Sequence, residues 1–472
     1  MPLRRIRRVI AVTATSIVAT ALLSPTVSLA QTSGSSLNPN QQSMLDAIGP
    51  APTALCPQLR TANTDQDPTN DLDPTQTALL ARCGRVLRAT VPDEKANALQ
   101  EITAEELNAP TSNAIDFNRT QRSQIAARLN VLRGAGGPGH IAYLDGNGGF
   151  SFDTTGGASG EGISEGRLGL FVNGKYGSGS KDQTEFEAPY DFDVTGGTVG
   201  VDYRFADHLV AGVAVGYASS STDFDTGGSL DSDEWSGSIF GSWYGGNAYV
   251  DLIFTYGSLS LDSDRHVVYT LQSTASPTDP TPVTDVIDTT AEGDTDGDST
   301  SLGLSAGYNF GKGSWQIGPT AAVSYIKVNI DGFSESGGDH PELNLAFEDQ
   351  EAESLQLQLG LNVSYAASTS WGVLTPYARA SYIWEQKDDQ EAFFIRYVAD
   401  PYACRDTPSC FGGPTTASVT SDKPDTSYVL WAVGVSGAFA NGFSAFVDYE
   451  SVASLDTISY GEATIGLRYQ FR

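Results

Sequence analysis

The last twelve residues of the chain, 461–472, show a pattern that recurs through most of the sequence. Apolar positions alternate with polar or small ones, so that Ala463, Ile465, Leu467, Tyr469 and Phe471 oppose Glu462, Thr464, Gly466, Arg468 and Gln470. A period of two puts the two sets on opposite faces of a β-strand. Such a strand fits a soluble sheet with a covered apolar face, or a barrel wall between lipid and a polar lumen.

Eleven further segments from Arg167 onward alternate in the same way, which makes twelve with the C-terminal one. Tight turns join them alternately with longer, acidic connections, of which 263–297 and 387–425 are the longest. An even number of strands, with short turns at one end and long loops at the other, is typical of outer-membrane barrels.

The two faces of these segments also differ in the way that a membrane barrel requires. Tyr, Phe and Trp stand at the ends of the apolar runs, where interfacial girdles are expected. The opposite face carries small and polar residues, which suit a wet lumen better than the dry core of the alternative, a soluble β-protein. We therefore predict an all-β transmembrane barrel of twelve antiparallel strands over residues 167–472.

Residues 31–115 have a different composition and predict a small, mainly α-helical segment. Apolar spacings of three and four predict helices within it, at 41–48, 75–90 and 93–106. Roughly 85 residues with so few large apolar groups can bury only a small core.

A longer helix is predicted over residues 116–133, with Asp116 as its N-cap and Gly134 at its end. It is either an amphipathic surface helix or a helix threaded through an acidic pore. Its length of about 27 Å is close to the height of the hydrophobic band. In the second interpretation its arginines would face acids on the barrel wall; the arginines are Arg119, Arg122, Arg128 and Arg133, and the candidate acids are Asp202, Asp251, Asp448 and Glu462. A glycine-rich connector, 135–166, would follow.

The N-terminus and the cysteines indicate an exported protein. Residues 1–30 have a basic start, an apolar core and the small-x-small site Ser28-Leu29-Ala30, so a signal peptide is predicted with a mature chain from Gln31. Four cysteines in an exported chain favour disulfides over free thiols, with three connectivities open. Sequence proximity favours Cys56 with Cys83, and Cys404 with Cys410.

Composition and motifs argue against several function classes. A formal charge of −30 disfavours nucleic acid as a partner. Residues 303–307 match the hydrolase nucleophile elbow, but they lie within a predicted strand instead of a strand–turn–helix. The acidic stretch 294–298 lacks the spacing of a calcium loop. No catalytic, cofactor or metal residue is predicted, and the chain is not expected to be an enzyme.

Several segments resemble the bacterial autotransporters of type V secretion. They are 125–133, 170–174, 197–205, 374–378 and the C-terminal strand, and the resemblance covers residues 116–472. It implies a monomeric barrel in a Gram-negative outer membrane, among lipid and lipopolysaccharide, with a helix in its pore. It also implies a barrel that, with the cell's barrel-assembly machinery, delivers the preceding segment to the cell surface.

Two features depart from the family pattern. Phe471 would serve as the terminal aromatic assembly signal, but Arg472 follows it. The predicted passenger, residues 31–115, is short and contains no repeat. Two hypotheses follow: a barrel that displays this short segment, or a structural or surface-binding barrel whose long acidic loops contact ligands and which has no secreted passenger.

Overall fold

The computed structural model describes residues 37–63, 72–134, 143–144, 150–151, 167–387, 391–406, 409–439 and 442–471. All of them belong to one compact unit that begins at Leu37. The predicted signal peptide, residues 1–30, lies outside these ranges.

The main element is a closed barrel of twelve antiparallel strands, as predicted. Each strand pairs with the next one along the chain, and the last pairs with the first, which closes the ring. The strands are β1 Leu168–Lys181, β2 Tyr190–Ala206, β3 Leu209–Phe224, β4 Ser229–Gly245, β5 Ala248–Ser276, β6 Asp279–Tyr308, β7 Trp315–Ile330, β8 Gln350–Tyr365, β9 Gly372–Glu385, β10 Ser427–Phe439, β11 Phe443–Ala453 and β12 Ile458–Gln470. Two short strands, Phe310–Lys312 and Ala367–Thr369, extend the sheet at its edge.

The outward face of the barrel is apolar and bounded by aromatic residues at both ends. Its alternate positions, such as Val215, Ile239 and Ile465, are more than half exposed. Exposed aromatics stand toward the end with the long loops at Tyr176, Tyr217, Trp235, Tyr256, Tyr382, Trp384, Trp431 and Tyr449, and toward the end with the tight turns at Phe205, Trp243, Tyr308, Phe310, Trp315, Tyr365, Trp371, Phe443, Tyr469 and Phe471. We call these ends the long-loop end and the turn end.

The hairpin of β5 and β6 extends far beyond the other strands. These strands have 29 and 30 residues, whereas a tilted strand needs about 9–11 to cross a bilayer. The prediction of a loop over 263–297 is therefore wrong. Alternation continues toward the tip, with Val267, Tyr269 and Leu271 buried on one face, but the polar residues Arg265 and Ser273 on that same buried face obscure it in the sequence.

The other long connections carry structure of their own. Residues 331–349 include a 3-10 helix, Pro341–Leu343, and a short strand, Leu345–Phe347. This strand begins a three-stranded sheet that continues through Ala392–Tyr397 to Ala417–Thr420. A short helix, Ala403–Asp406, lies between the last two strands, and the predicted Cys404–Cys410 disulfide is confirmed beside it, with 4.0 Å between the Cα atoms. Together with the distal hairpin, 263–291, the segments 331–349, 391–406 and 409–426 form what we call the loop platform.

The N-terminal region is helical, as predicted, but with different bounds. Its helices are α1 Pro39–Ile48, α2 Leu55–Ala62, α3 Pro74–Leu87 and α4 Pro92–Thr103, followed by the 3-10 helix Glu105–Asn108. The sequence did not predict α2. The Cys56–Cys83 disulfide joins α2 to α3 and is confirmed, with a Cα–Cα distance of 5.8 Å. We call residues 37–63 and 72–108 the cap.

The next helix, α5, spans Ala109–Gly134 and is 26 residues long. The prediction that it starts at Asp116 is wrong. The helix begins at Ala109, because Pro110 stands in its first turn, where a proline is tolerated. Its end at Gly134 is as predicted. The short strands Tyr143–Leu144 and Phe150–Ser151 form a hairpin in the connector that follows.

Three apolar clusters hold these parts together. The largest joins the cap to the loop platform. The second surrounds the start of α5, where Phe117 packs with Phe192, Phe224 and other inward-facing residues near the long-loop end. The third contains Ile125 and Leu129 of α5 with inward-facing residues nearer the turn end, namely Phe171, Ala214, Phe240 and Ile253.

The closing strand pair predicts a role for Phe471 in assembly. Its backbone N–H donates to the carbonyl of Leu168 on β1 (3.1 Å), and its ring packs edge-on against Tyr469. We expect Phe471→Asp to abolish insertion, because a carboxylate would stand at the lipid interface where the ring closes. Heat-modifiable migration on unboiled gels measures this, with deletion of Arg472, which lies outside the described residues, as the near-neutral control. Normal migration of Phe471→Asp would contradict the prediction.

Candidate functional site

The inner wall of the barrel carries buried or partly buried ion pairs between its own strands. Lys175 on β1 contacts Glu462 on β12, and Arg468 on β12 contacts Asp202 on β2 at 3.3 Å. Arg379 on β9 donates to two carboxylates of β11, Asp448 at 2.9 Å and Glu450 at 2.7 Å. The sequence prediction named three of these acids but missed the cations. The alternation could have found them, since they occupy inward positions like the acids.

One of these ion pairs and a separate hydrogen bond each cross an intervening strand at a glycine of that strand. Arg468 and Asp202 stand on the two neighbours of β1 and meet over Gly169. A β-carbon at Gly169 would lie 2.7 Å from Arg468 Nη2 and 2.7 Å from Asp202 Oδ1. A similar contact spans β5, where Ser299 donates to Glu234 at 3.0 Å beside Gly257. Small inward residues therefore allow side chains two strands apart to pair.

The arginines predicted on the pore helix lie as follows. Arg119 and Arg122 border a cavity of about 590 Å³ between α5 and the inner wall, which Asp251 and Glu462 also border. Asp251 additionally accepts a hydrogen bond from Ser305 Oγ at 3.4 Å. The side chains of Arg128 and Arg133 lie outside the described residues. Pairing between the helix arginines and the wall acids therefore remains a prediction.

Polar side chains of α5 form specific contacts with inward-facing residues. Gln121 donates to Ser238 on β4 (3.2 Å) and accepts from Thr198 on β2 (2.7 Å). Asn118 donates to Glu234 (3.4 Å). Gly216 leaves room for Gln121, because a β-carbon there would come within 2.2 Å of the Gln121 amide oxygen. The wall is thus shaped to receive one face of α5.

Ser305, in the hydrolase-like stretch 303–307, lies within β6, near its C-terminal end. This stretch forms regular strand pairs on both sides. It therefore has no sharp turn into a helix, which the nucleophile-elbow motif requires.

The cap and the loop platform meet at a buried ion pair that sequence reasoning missed. Arg265, on the distal part of β5, is 1% exposed and donates twice to Glu335, at 2.6 Å each. It also donates to the carbonyls of Glu101 (3.2 Å) and Leu343 (3.0 Å). One guanidinium thus connects β5, the 331–349 segment and α4.

A second group of ions joins α3 to the platform. Arg82 and Arg85 both contact the carboxylate of Asp285 on β6. Arg82 also donates to Glu342 at 3.1 Å. Of these side chains Asp285 and Glu342 are nearly buried, so the charges are partly desolvated and depend on each other.

Two further carboxyl groups are buried where the cap continues into α5. Burial raises the pKa of Glu105 and of Glu106 to about 7, although Asn38 donates to Glu105 and Arg265 attracts the charge on Glu106. Burial likewise raises the pKa of Glu101. Burial at the cap interface therefore increases the protonated fraction of these carboxyl groups near neutral pH.

These features define an outer-membrane β-barrel with a helix along its inner wall and a folded cap on its loops. The family model described as autotransporter beta-domain matches residues 170–450, more than half of the chain. The chain belongs to the autotransporter beta-domain family, and it is a protein of the Gram-negative outer membrane. Within the described residues, no helix has the length and hydrophobicity to cross a membrane.

Individual relatives are more distant. Esterase EstA of Pseudomonas aeruginosa is 25% identical over 201 residues, and that of Pseudomonas putida matches to the same extent. The aligned part is 41% of this chain and 28% of EstA, so the chain spans little more than a quarter of these curated relatives. The translocator domain of autotransporter NalP from Neisseria meningitidis is 14% identical, with a TM-score of 0.51, over 78% of this chain and all of that one. This last likeness shows the fold.

The glycine beneath the Arg468–Asp202 pair generates a test. We expect Gly169→Val to lower barrel stability by about 1–3 kcal/mol, because the side chain would force the buried ions apart. The matched control is Gly237→Val on the outward face of β4, where a β-carbon has no neighbour within 4 Å. The temperature at which heat-modifiable migration is lost measures the stability of both variants. Equal midpoint temperatures for the two variants would rule out a specific effect at Gly169.

The buried carboxyl groups predict pH-dependent stability of the cap. Their pKa is higher in the folded cap than in the unfolded chain, so docking is strongest at low pH and weakens as pH rises from about 4.5 to about 7. The facing charges are Arg265, Glu101 and Glu335. The melting temperature of the cap helices, followed by circular dichroism, should fall between pH 5 and pH 8. Glu106→Gln should flatten that fall, whereas the exposed control Glu292→Gln should leave it unchanged.

Proposed function

We propose that the barrel carries its own N-terminal segment to the cell surface and keeps it there as a docked cap. The observation that supports this most directly is the apolar cluster shared by the cap and the long loops. In outer-membrane barrels the long loops face outward and the tight turns face the periplasm. A segment packed on the long loops is therefore outside the cell.

The course of α5 supports the same conclusion. Phe117, in its first half, belongs to the apolar cluster near the long-loop end, whereas Ile125 and Leu129 belong to the cluster nearer the turn end. The chain thus leaves the cap, follows the inner wall toward the turn end and continues into the barrel strands. With the barrel in the outer membrane, residues 37–108 have crossed to the outside.

We further propose that α5 acts as a plug. Its apolar residues pack against inward-facing residues of strands β1 to β5, β7 and β8, and the cavity of about 590 Å³ lies beside it. Twelve strands enclose more space than their small inward side chains fill, so the helix limits the conducting path. Phe471 is the signal by which the barrel-assembly machinery inserts the barrel. The inserted barrel is a monomer surrounded by lipid and lipopolysaccharide.

Surface display is tested with a protease site inserted between residues 64 and 71, after α2. Added protease should cleave this site on intact cells, because the cap faces outward. The matched control carries the same site at the tight turn Gly246-Asn247, which should be cut only after the outer membrane is opened. Protection of the first site on intact cells, with normal barrel folding, would favour the alternative, a surface-binding barrel without a displayed segment.

The plug predicts low conductance. Full-length protein in a planar bilayer should conduct poorly, and removal of residues 31–135 should open a cation-favouring channel, because acids on the wall attract cations. Replacing the four arginines of α5 with glutamine should raise conductance and lower thermal stability without unfolding the barrel. The four residues are Arg119, Arg122, Arg128 and Arg133. Equal conductance with and without residues 31–135 would contradict the plug role of α5.

A further inference from the structure

We propose that the loop platform is an intramolecular folding template: helices α1 to α4 fold only when they dock on it. The barrel would then supply a folding function in addition to transport. The inference rests on the proposed function only for the side of the membrane on which docking occurs. Its physical basis lies in the core, the strand edges and the buried charges of the interface.

The core under the cap is shared almost equally between cap and platform. The cap contributes small and aliphatic side chains, and residues 31–116 contain no aromatic residue. Every aromatic side chain of this cluster comes from the platform: Tyr269, Phe347, Phe393, Tyr397 and Tyr402. Without the platform, cap residues such as Leu99 and Ile102 would lose the neighbours that cover them.

The cap also completes an open strand edge on the distal hairpin. Pairing between β4 and β5 ends at Asp264, and among the described residues no strand pairs with this edge of β5 beyond that point. Residues 88–90 take that place: Thr90 N–H donates to the carbonyl of Gln272 (2.8 Å), and Ala89 pairs with Ser273. Farther along, Glu94 and Glu101 accept hydrogen bonds from the backbone N–H groups of Gln272 (2.6 Å) and Val268 (3.1 Å).

A second edge is completed in the same way by α1. In the part of the chain that the structure describes, the strand Ala417–Thr420 pairs with one strand only, Ala392–Tyr397. On its other side, Ser43 Oγ accepts from Ser418 N–H (2.7 Å), and Asn40 exchanges two hydrogen bonds with the backbone of Thr420 (2.8 and 3.0 Å). Asn40 is fully buried. Without that strand, its side-chain oxygen would lose the Thr420 N–H donor and its amide nitrogen would lose one acceptor.

These contacts make folding of the cap and burial of the platform one event. Exposed strand edges template further pairing, and the cap offers the groups that satisfy these two. The consequence suits transport, because a segment that cannot fold before it reaches the platform stays unfolded while it passes the barrel. The Cys56–Cys83 disulfide alone joins only α2 to α3 and leaves α1 and α4 free.

The test uses full-length protein in detergent and hydrogen exchange of peptides from the cap. Leu271 is fully buried beneath the cap, whereas Val286 is 65% exposed on the outer face of the same hairpin. In Leu271→Asp we expect the amide protection of α1, α3 and α4 to fall together by ~100-fold or more, toward unfolded-chain rates. Val286→Asp should match wild type. Heat-modifiable migration reports separately that the barrel itself is intact.

A substitution at a second platform site tests whether the effect of Leu271→Asp is only local disruption of the hairpin. Ile395→Asp, on the three-stranded sheet, should unfold the same helices, with the exposed neighbour Phe394→Asp as its control. Retained protection of α1, α3 and α4 in both buried variants would overturn the template role, because the cap would then fold alone. That outcome would not bear on surface display, which the inserted protease site tests independently.

Discussion

Closure of the strand ring is the constraint on which the rest of this structure depends. In lipid every backbone N–H and C=O must be satisfied within the protein, and only the pairing of β12 with β1 leaves no open edge. Closure also separates the two faces of each strand completely. The outward face can then be apolar at every alternate position, because it meets lipid. The inward face carries charged and small residues, whose charges must be paired within the barrel.

The inner wall meets that requirement by combining charges with glycine. Arg468 reaches Asp202 across Gly169, so opposite charges on β12 and β2 neutralise each other over a strand with no side chain there. Glycine at Gly216 likewise makes room for Gln121 of α5. The abundance of small inward residues is therefore a condition for both the ion pairs and the helix. A wall of larger side chains would fill the lumen by itself.

Beyond the membrane band the same alternation serves a different purpose. The inward face of β5 becomes apolar again at Val267, Tyr269 and Leu271, and it meets the cap where it would otherwise meet water. Arg265 marks the transition, with its charge shared between Glu335 and backbone carbonyls. A continuous strand thus changes from barrel wall to docking surface without a change in backbone geometry. This continuity explains how a barrel with few large loops can hold a folded domain.

The sequence alone determined the number of strands, their outward faces and the helical N-terminal segment, and it favoured both disulfide pairings. Each of these depends on local periodicity or on proximity along the chain. It did not predict the start of α5, the helix α2 or the long hairpin, because Pro110, Pro57 and polar residues on the inward face of β5 weaken the local signals. Only the tertiary structure brought Arg379 to Asp448 and Arg265 to Glu335. Residues so far apart in sequence meet through strand register and loop packing, which periodicity within one segment does not encode.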